Sequence, residues 1–282
     1  MKILLISDFF VEELPFGGGA EYNDKILTQI LDTGEVDIVR KKSASVSVDF
    51  LTRLDKNTKL IISNFVLLKQ NSKQYIQDNF AYIIYEHDHK YLIRRDPSLF
   101  RNLKAPKSEI VNYLFYKNAA AVFSQSGLHK KIIDLNLHTD NVVNLSGNLW
   151  SKEDFEQIRK NLLVEKQDIY SILQSQIPNK GTIQAIEYCS KNNHTYELIS
   201  DKNYYSFLRK IANNKRLIFL PTLPETFSRI CVEARMMGCS VTTNGFIGAK
   251  HEEWYSLEPE QLILEMESAR NRIANQVIET FK

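Results

Sequence analysis

The chain has 282 residues, with ordinary hydrophobic and charged fractions of 43% and 25% and a formal net charge of +2. This suits one large α/β domain or two modest ones, each able to bury a core, and it excludes a fibrous or disordered chain. A charge this close to balance does not by itself argue for nucleic acid, and no run approaches the ~20 apolar residues of a membrane span.

The opening "MKILLISDFF" predicts a first strand over residues 2–6. Acid follows at once in Asp8, Glu12 and Glu13, with no small-residue cleavage site, so it reads as a strand rather than a signal peptide. A helical pattern at 21–31 leads to strands at 36–39, 59–63, 82–85, 121–123 and 141–145, with a helix at 127–135. A second series places strands at 169–173, 195–199, 217–220 and 240–243, and helices at 182–191, 204–212 and 227–237. Alternation of this kind implies parallel sheets covered by helices. There are too many strands for one comfortable sheet. The polar segment "LWSKEDFEQIRKNLLVEK" between the two series marks a boundary between domains 1–150 and 151–282. Two facing doubly wound domains would leave a cleft, where ligands bind at the carboxyl ends of the strands. The final "EPEQLILEMESARNRIANQVIETFK" reads as a long amphipathic helix with Pro259 near its start. No strand follows it, so it is expected to pack back across the domain junction. Cys189, Cys231 and Cys239 are odd in number and unpatterned, and they read as reduced buried thiols of a cytoplasmic protein rather than a zinc site.

Four stretches could carry chemistry. In "FGGGAEYNDKIL", Gly17, Gly18 and Gly19 lie between the first strand and a helix. They permit a tight turn with exposed N–H groups, which the positive helix start would complete as an anion site; the alternative is a flexible surface turn. Neither a dinucleotide fingerprint nor an NTPase phosphate loop is present. In "YIIYEHDHKYLIRRDPSLFRNLKAP" an apolar strand ends in Glu86, His87, Asp88 and His89. The two histidines of an extended segment point to opposite faces, which argues against joint metal ligation. His87 beside a carboxylate suits acid–base or hydrogen-bonding work on a substrate, against the alternative of two surface histidines. Lys90, Arg94, Arg95, Arg101, Lys104 and Lys107 follow, interleaved with Tyr91, Leu92, Ile93 and Phe100. They form a solvated basic face, or one that meets an anionic lipid surface or a nucleic-acid backbone.

In "NKGTIQAIEYC", Lys180 and Gly181 precede a helix, where a lysine can meet a phosphate together with the helix dipole. In "LPETFSRICVEARMMG", Pro221 and Pro224 punctuate the end of an apolar strand, so the helix is expected to start near Thr226 or Phe227. Glu225 would lie at that start and Glu233 two turns in, about 12 Å apart along the axis. N–H groups near Thr226, Phe227, Ser228 and Arg229 would lie between them. A nucleotide sugar matches this spacing, with hydroxyls at both ends and a diphosphate between. A capping carboxylate and one solvated glutamate match it equally well.

Together these stretches resemble the retaining glycosyltransferases of family 4, whose fold is two facing Rossmann-like domains, the GT-B fold. The resemblance rests on Pro221, Thr222, Glu225, Phe227, Glu233, Ala234 and Gly238 in register. The glycine loop, the His87-Asp88 pair, Ser126 and Lys180-Gly181 follow in matching order. It implies a cytoplasmic, metal-independent transferase without a cofactor, using a UDP- or GDP-sugar as co-substrate. It implies that Glu233 binds the donor ribose, that Glu225 contacts the sugar near the reacting carbon, and that His87 contacts sugar hydroxyls. Gly18 and Gly19 would approach the diphosphate and Lys180 would pair with it. The acceptor, whether glycan, lipid-linked glycan, protein or modified nucleic acid, would meet the first domain, with 90–107 as a face for peripheral membrane contact. Two features depart from the family. Gln174 stands where an arginine is usual, and Thr226 and Ser228 replace glycines. Arg229 is the candidate to supply the missing cation. An epimerase or phosphorylase on the same fold, or a binding module without catalysis, are the alternatives.

Overall fold

The computed structural model describes residues 1–13 and 18–282, so Gly17 of the glycine loop lies outside the described residues. The chain divides into two units, Met1–Leu149 with Ala269–Lys282, and Trp150–Ser268.

The N-terminal unit carries β1 (Lys2–Ser7), α1 (Gly19–Leu31), β2 (Asp37–Lys42), α2 (Val48–Arg53), β3 (Lys59–Ile62), α3 (Gln70–Asn79), β4 (Tyr82–Tyr85), α4 (Tyr113–Lys117), β5 (Ala121–Ser124), α5 (Gly127–Leu137) and β6 (Val142–Asn144). The strands form one parallel sheet in the order β2-β1-β3-β4-β5-β6. Side chains alternate across it. Leu4, Ile6 and Ile62 pack with Leu51 of α2 and Ile76 of α3. Ile3, Leu5, Ile61 and Phe123 pack on the other face with Ile26, Leu27 and Leu31 of α1. Both faces are buried, which is why these strands read as continuous apolar runs.

The C-terminal unit carries α6 (Lys152–Leu162), β7 (Gln167–Leu173), α7 (Thr182–Lys191), β8 (Tyr196–Ile199), α8 (Tyr204–Ala212), β9 (Asn214–Phe219), α9 (Arg229–Met236), β10 (Ser240–Thr243) and the start of α10 (Pro259–Thr280). Its parallel sheet runs β10-β9-β7-β8. The polar stretch between the two strand series is α6, an amphipathic helix opened by a capping box of Ser151 and Asp154 and burying Phe155 and Ile158. Helix α10 repeats buried residues at Leu262, Met266, Ala269, Ile273 and Val277, one face of a helix. Its last part joins the N-terminal unit, where Ile273, Ala274, Val277 and Phe281 pack with the α1 face of the sheet.

One element differs from its expectation in a way that matters. Helix α9 starts at Arg229, not at Thr226 or Phe227. Glu225 pairs instead with Ile247 in a parallel bridge, and Ala249 N–H donates to the Phe227 carbonyl. Ser228 then turns left-handed, with φ of 76°. Among the described residues no helix is long and apolar enough to cross a membrane.

Candidate functional site

In each sheet the strand order reverses once, between β1 and β3 and between β7 and β9. The carboxyl ends of the strands at such a reversal form the usual ligand crevice of doubly wound sheets.

In the C-terminal unit, Lys180 and Glu225 meet there. The lysine Nζ lies 2.7 Å from Glu225 Oε1, both side chains partly exposed. The turn that carries Lys180 is tied to the end of β9, because Thr222 N–H donates to the Asn179 carbonyl. Gly181 has φ of 69°, and a Cβ there would lie 1.8 Å from the Leu220 carbonyl oxygen, so glycine alone permits this approach. Glu225 is therefore not on the helix that carries Glu233, and the axial spacing expected for the two carboxylates does not apply.

Glu233 is buried at the second turn of α9. Trp150 Nε1 donates to its Oε1 at 3.0 Å, Tyr204 Oη donates to the same oxygen at 2.7 Å, and Arg229 Nε approaches it at 3.4 Å. The Arg229 guanidinium also lies 4.3 Å from the centre of the Trp150 ring. Its charge is thus committed to Glu233 rather than presented as a spare cation at the helix start. Burial, with the Glu233 charge added, pushes the Tyr204 phenol well above its usual range, so it stays a donor. Trp150 and Tyr204 escaped sequence reasoning. Trp150 and Glu233 lie 83 positions apart, and no spacing rule links them.

Three further expected site residues are placed differently from a simple phosphate cradle. Phe227 is 1% exposed and packs between Trp150 and Trp254, so its side chain is core. Ser228 is buried, with its Oγ donating to Cys231 Sγ. Thr226, just before them, is partly exposed. A left-handed non-glycine residue costs about 1–2 kcal/mol. Ser228→Gly is therefore expected to raise stability by about 1 kcal/mol, read as a later urea midpoint. An earlier midpoint would show that the Ser228–Cys231 contact outweighs the backbone term. Gln174, exposed just past β7, accepts from Ser200 Oγ.

In the N-terminal unit the glycine loop carries its own anion. Gly18 precedes α1, and the Glu21 carboxylate folds over it so closely that a Cβ at Gly18 would lie 2.3 Å from Oε2. Glu21 Oε1 accepts from Asn64 Nδ2 at 3.3 Å. A carboxylate thus already sits at this helix start, where the dipole favours it, and any phosphate approaching Gly18 and Gly19 meets that charge.

The segment after β4 is mostly interior. Glu86 is fully buried, and Lys90 Nζ lies 2.7 Å from its Oε1 and 2.9 Å from Asp88 Oδ1. The Tyr116 hydroxyl donates to Glu86 Oε2, and the N–H groups of His87 and Asp88 donate to its Oε1. Burial pushes the Glu86 carboxyl up while the Lys90 charge opposes it. Burial acts the same way on Asp88, but Lys90 and Arg95 prevail and hold it low. The expected basic face is corrected accordingly. Lys90, Tyr91 and Leu92 are core, the lysine neutralised by two carboxylates, while Arg94, Arg95, Arg101, Lys104 and Lys107 reach solvent together with Ile93.

The two histidines do diverge. His87 stacks on Tyr85 at 4.8 Å, with Nδ1 2.6 Å from Gln125 Nε2 and Nε2 3.6 Å from Asp24 Oδ1. Its side chain is only 5% exposed, although the residue as a whole is partly exposed, so what it offers to solvent is chiefly main chain. The carboxylate beside it comes from α1, not from its own strand tip. His89 is buried against Tyr91 and His129. Among the described residues no group of three His, Cys, Asp or Glu side chains could hold a metal ion.

Burial lowers the pKa of His89 to about 4 from its ordinary 6.5. A histidine buried neutral contributes stability in full above its unfolded pKa and loses it as pH falls toward the folded value. About 2 kcal/mol should be lost between pH 7 and pH 5. Urea unfolding of the protein and of His89→Gln at both pH values checks this. An equal loss in both proteins would sink the assignment.

Two parallel, helix-covered units on one chain, with the final helix returning to the first, define the GT-B fold. No family model and no curated protein matches the sequence. Solved structures do match the fold. A glycosyltransferase from Rickettsia africae ESF-5 has a TM-score of 0.59 at 13% identity, over 100% of this chain and 97% of its own. The α,α-trehalose 6-phosphate synthase of Burkholderia multivorans has a TM-score of 0.58 at 7% identity, over 99% and 92%. Anabaena HepE in complex with UDP has a TM-score of 0.51 at 14% identity, over 100% and 97%. At these identities the similarity is one of fold.

Proposed function

We propose that the protein is a retaining glycosyltransferase that uses a nucleoside-diphosphate sugar. The observation that carries this reading is the Lys180–Glu225 pair at the strand reversal of the C-terminal unit. It sets a cation for a phosphate beside a carboxylate for sugar hydroxyls. Glu233 supports it, since its three partners all fall on Oε1 and a ribose hydroxyl would donate to Oε2. The UDP held by HepE, a protein of like fold, supports a uridine nucleotide. As the bond from the anomeric carbon to phosphate breaks, its electrons stay on the diphosphate, where the Lys180 ammonium and the start of α9 stabilise them. The acceptor hydroxyl attacks on the same face and gives its proton to the departing phosphate oxygen, which retains configuration. Arg229 acts by holding Glu233, and His87 keeps the role that the family resemblance implies for it, contact with sugar hydroxyls.

A panel of UDP-, GDP- and ADP-sugars tests the reading by release of nucleoside diphosphate. Slow hydrolysis of one donor, reduced roughly a hundredfold in Glu225→Gln, is expected. Binding without turnover under any acceptor would leave a binding module, and isomerisation without release would leave an epimerase.

A further inference from the structure

A chain of buried amides in the N-terminal unit ends on the His87 ring. Leu149 N–H donates to Asn148 Oδ1 at 2.8 Å, which fixes which way that amide faces. Asn148 Nδ2 then donates to Gln125 Oε1 at 3.1 Å. Gln125 must therefore present its Nε2, which donates to the Glu86 carbonyl at 3.2 Å and meets His87 Nδ1 at 2.6 Å. A carbonyl only accepts, so the Glu86 contact fixes the Gln125 amide independently of Asn148. Gln125 and Asn148 are 4% and 2% exposed, so water does not compete for these groups.

We infer that Gln125 is a positioning residue that locks His87 as the neutral tautomer protonated on Nε2. An amide N–H cannot face another N–H at this distance, so Nδ1 must carry the lone pair and Nε2 the proton. The Nε2 proton then faces the Asp24 carboxylate, which Ser63 Oγ holds by donating to Oδ1 at 2.7 Å. Stacking on Tyr85 restrains the ring plane. The consequence is chemical. Neither ring nitrogen is presented as a base, so His87 orients and polarises through a fixed ring and its exposed main chain and does not relay a proton. Glu86, whose carboxylate accepts the His87 N–H, holds the main chain of the same residue.

Nitrogen-15 spectra of the whole protein labelled in histidine test this, with the His87 signals assigned by their loss in His87→Phe. The wild type should show one pyridine-like Nδ1 and one pyrrole-like Nε2. Gln125→Glu should convert the pyridine-like Nδ1 into a protonated one, because the new carboxylate accepts from Nδ1–H while Asp24 still faces Nε2–H. A wild-type spectrum of the Nδ1–H form or of a mixture would overturn the proposal, as would an unchanged pattern in Gln125→Glu. The wild-type spectrum decides alone if that variant fails to fold. The turnover arm rests on the proposed function. Gln125→Glu should lower donor turnover at least tenfold while leaving UDP affinity unchanged. The expected spectra with full turnover would keep the tautomer assignment and remove His87 from the reaction.

Discussion

Replacing Glu233 with leucine is expected to destabilise the C-terminal unit by about 3 kcal/mol and to remove donor binding. The stability loss follows from what remains. The Arg229 charge, nearly buried over Trp150, would have lost its counter-charge, and the Trp150 N–H, fully buried, would have lost its acceptor. Breaking a buried pair from one side typically costs 3–5 kcal/mol, whereas removing both charges together costs far less. Glu233→Leu with Arg229→Met should therefore recover much of the stability but none of the donor binding. Urea unfolding followed by calorimetric titration with UDP separates the two effects. A single variant within 1 kcal/mol of wild type, on the order of an ordinary surface change, would show that the cluster is not tightly coupled.

The second large effect is expected at Gly181. Alanine there would need a left-handed backbone at a cost of about 1–2 kcal/mol, and its Cβ would collide with backbone at Leu220 rather than with a pliable side chain. The turn must move, and Lys180 moves with it, away from Glu225. A displacement of about 1 Å at a reacting group can cost roughly a hundredfold in rate. Gly181→Ala should thus lose roughly that factor in donor turnover, with a stability loss of about 2 kcal/mol. Unchanged turnover would show that the Lys180–Glu225 geometry does not govern the reaction.

Much of the architecture was legible along the chain. The strand at Tyr82–Tyr85 and the helices at Thr182–Lys191 and Tyr204–Ala212 appear where the pattern predicts them. Parallel strands buried on both faces write their position as apolar runs, and amphipathic helices write theirs as periodicity. The helix at Arg229–Met236 was misjudged at its start, because Glu225 pairs with Ile247 across more than twenty positions and local rules do not see that bridge. The basic run after β4 was misjudged for a related reason. Lys90 is a surface residue by type, but Glu86 and Asp88 make its burial tolerable.

By itself the sequence determined the fold class and named Lys180, Glu225, Glu233 and His87, because backbone periodicity and turn chemistry are local properties. Only the tertiary structure decided what those side chains touch. It joined Lys180 to Glu225, closed Trp150, Tyr204 and Arg229 around one oxygen of Glu233, and set Gln125 and Asp24 on either side of His87. Apart from Arg229, one turn before Glu233 on the same helix, these partners come from elements remote in the chain, and a hydrogen bond or ion pair depends on distance in space, which local pattern does not encode.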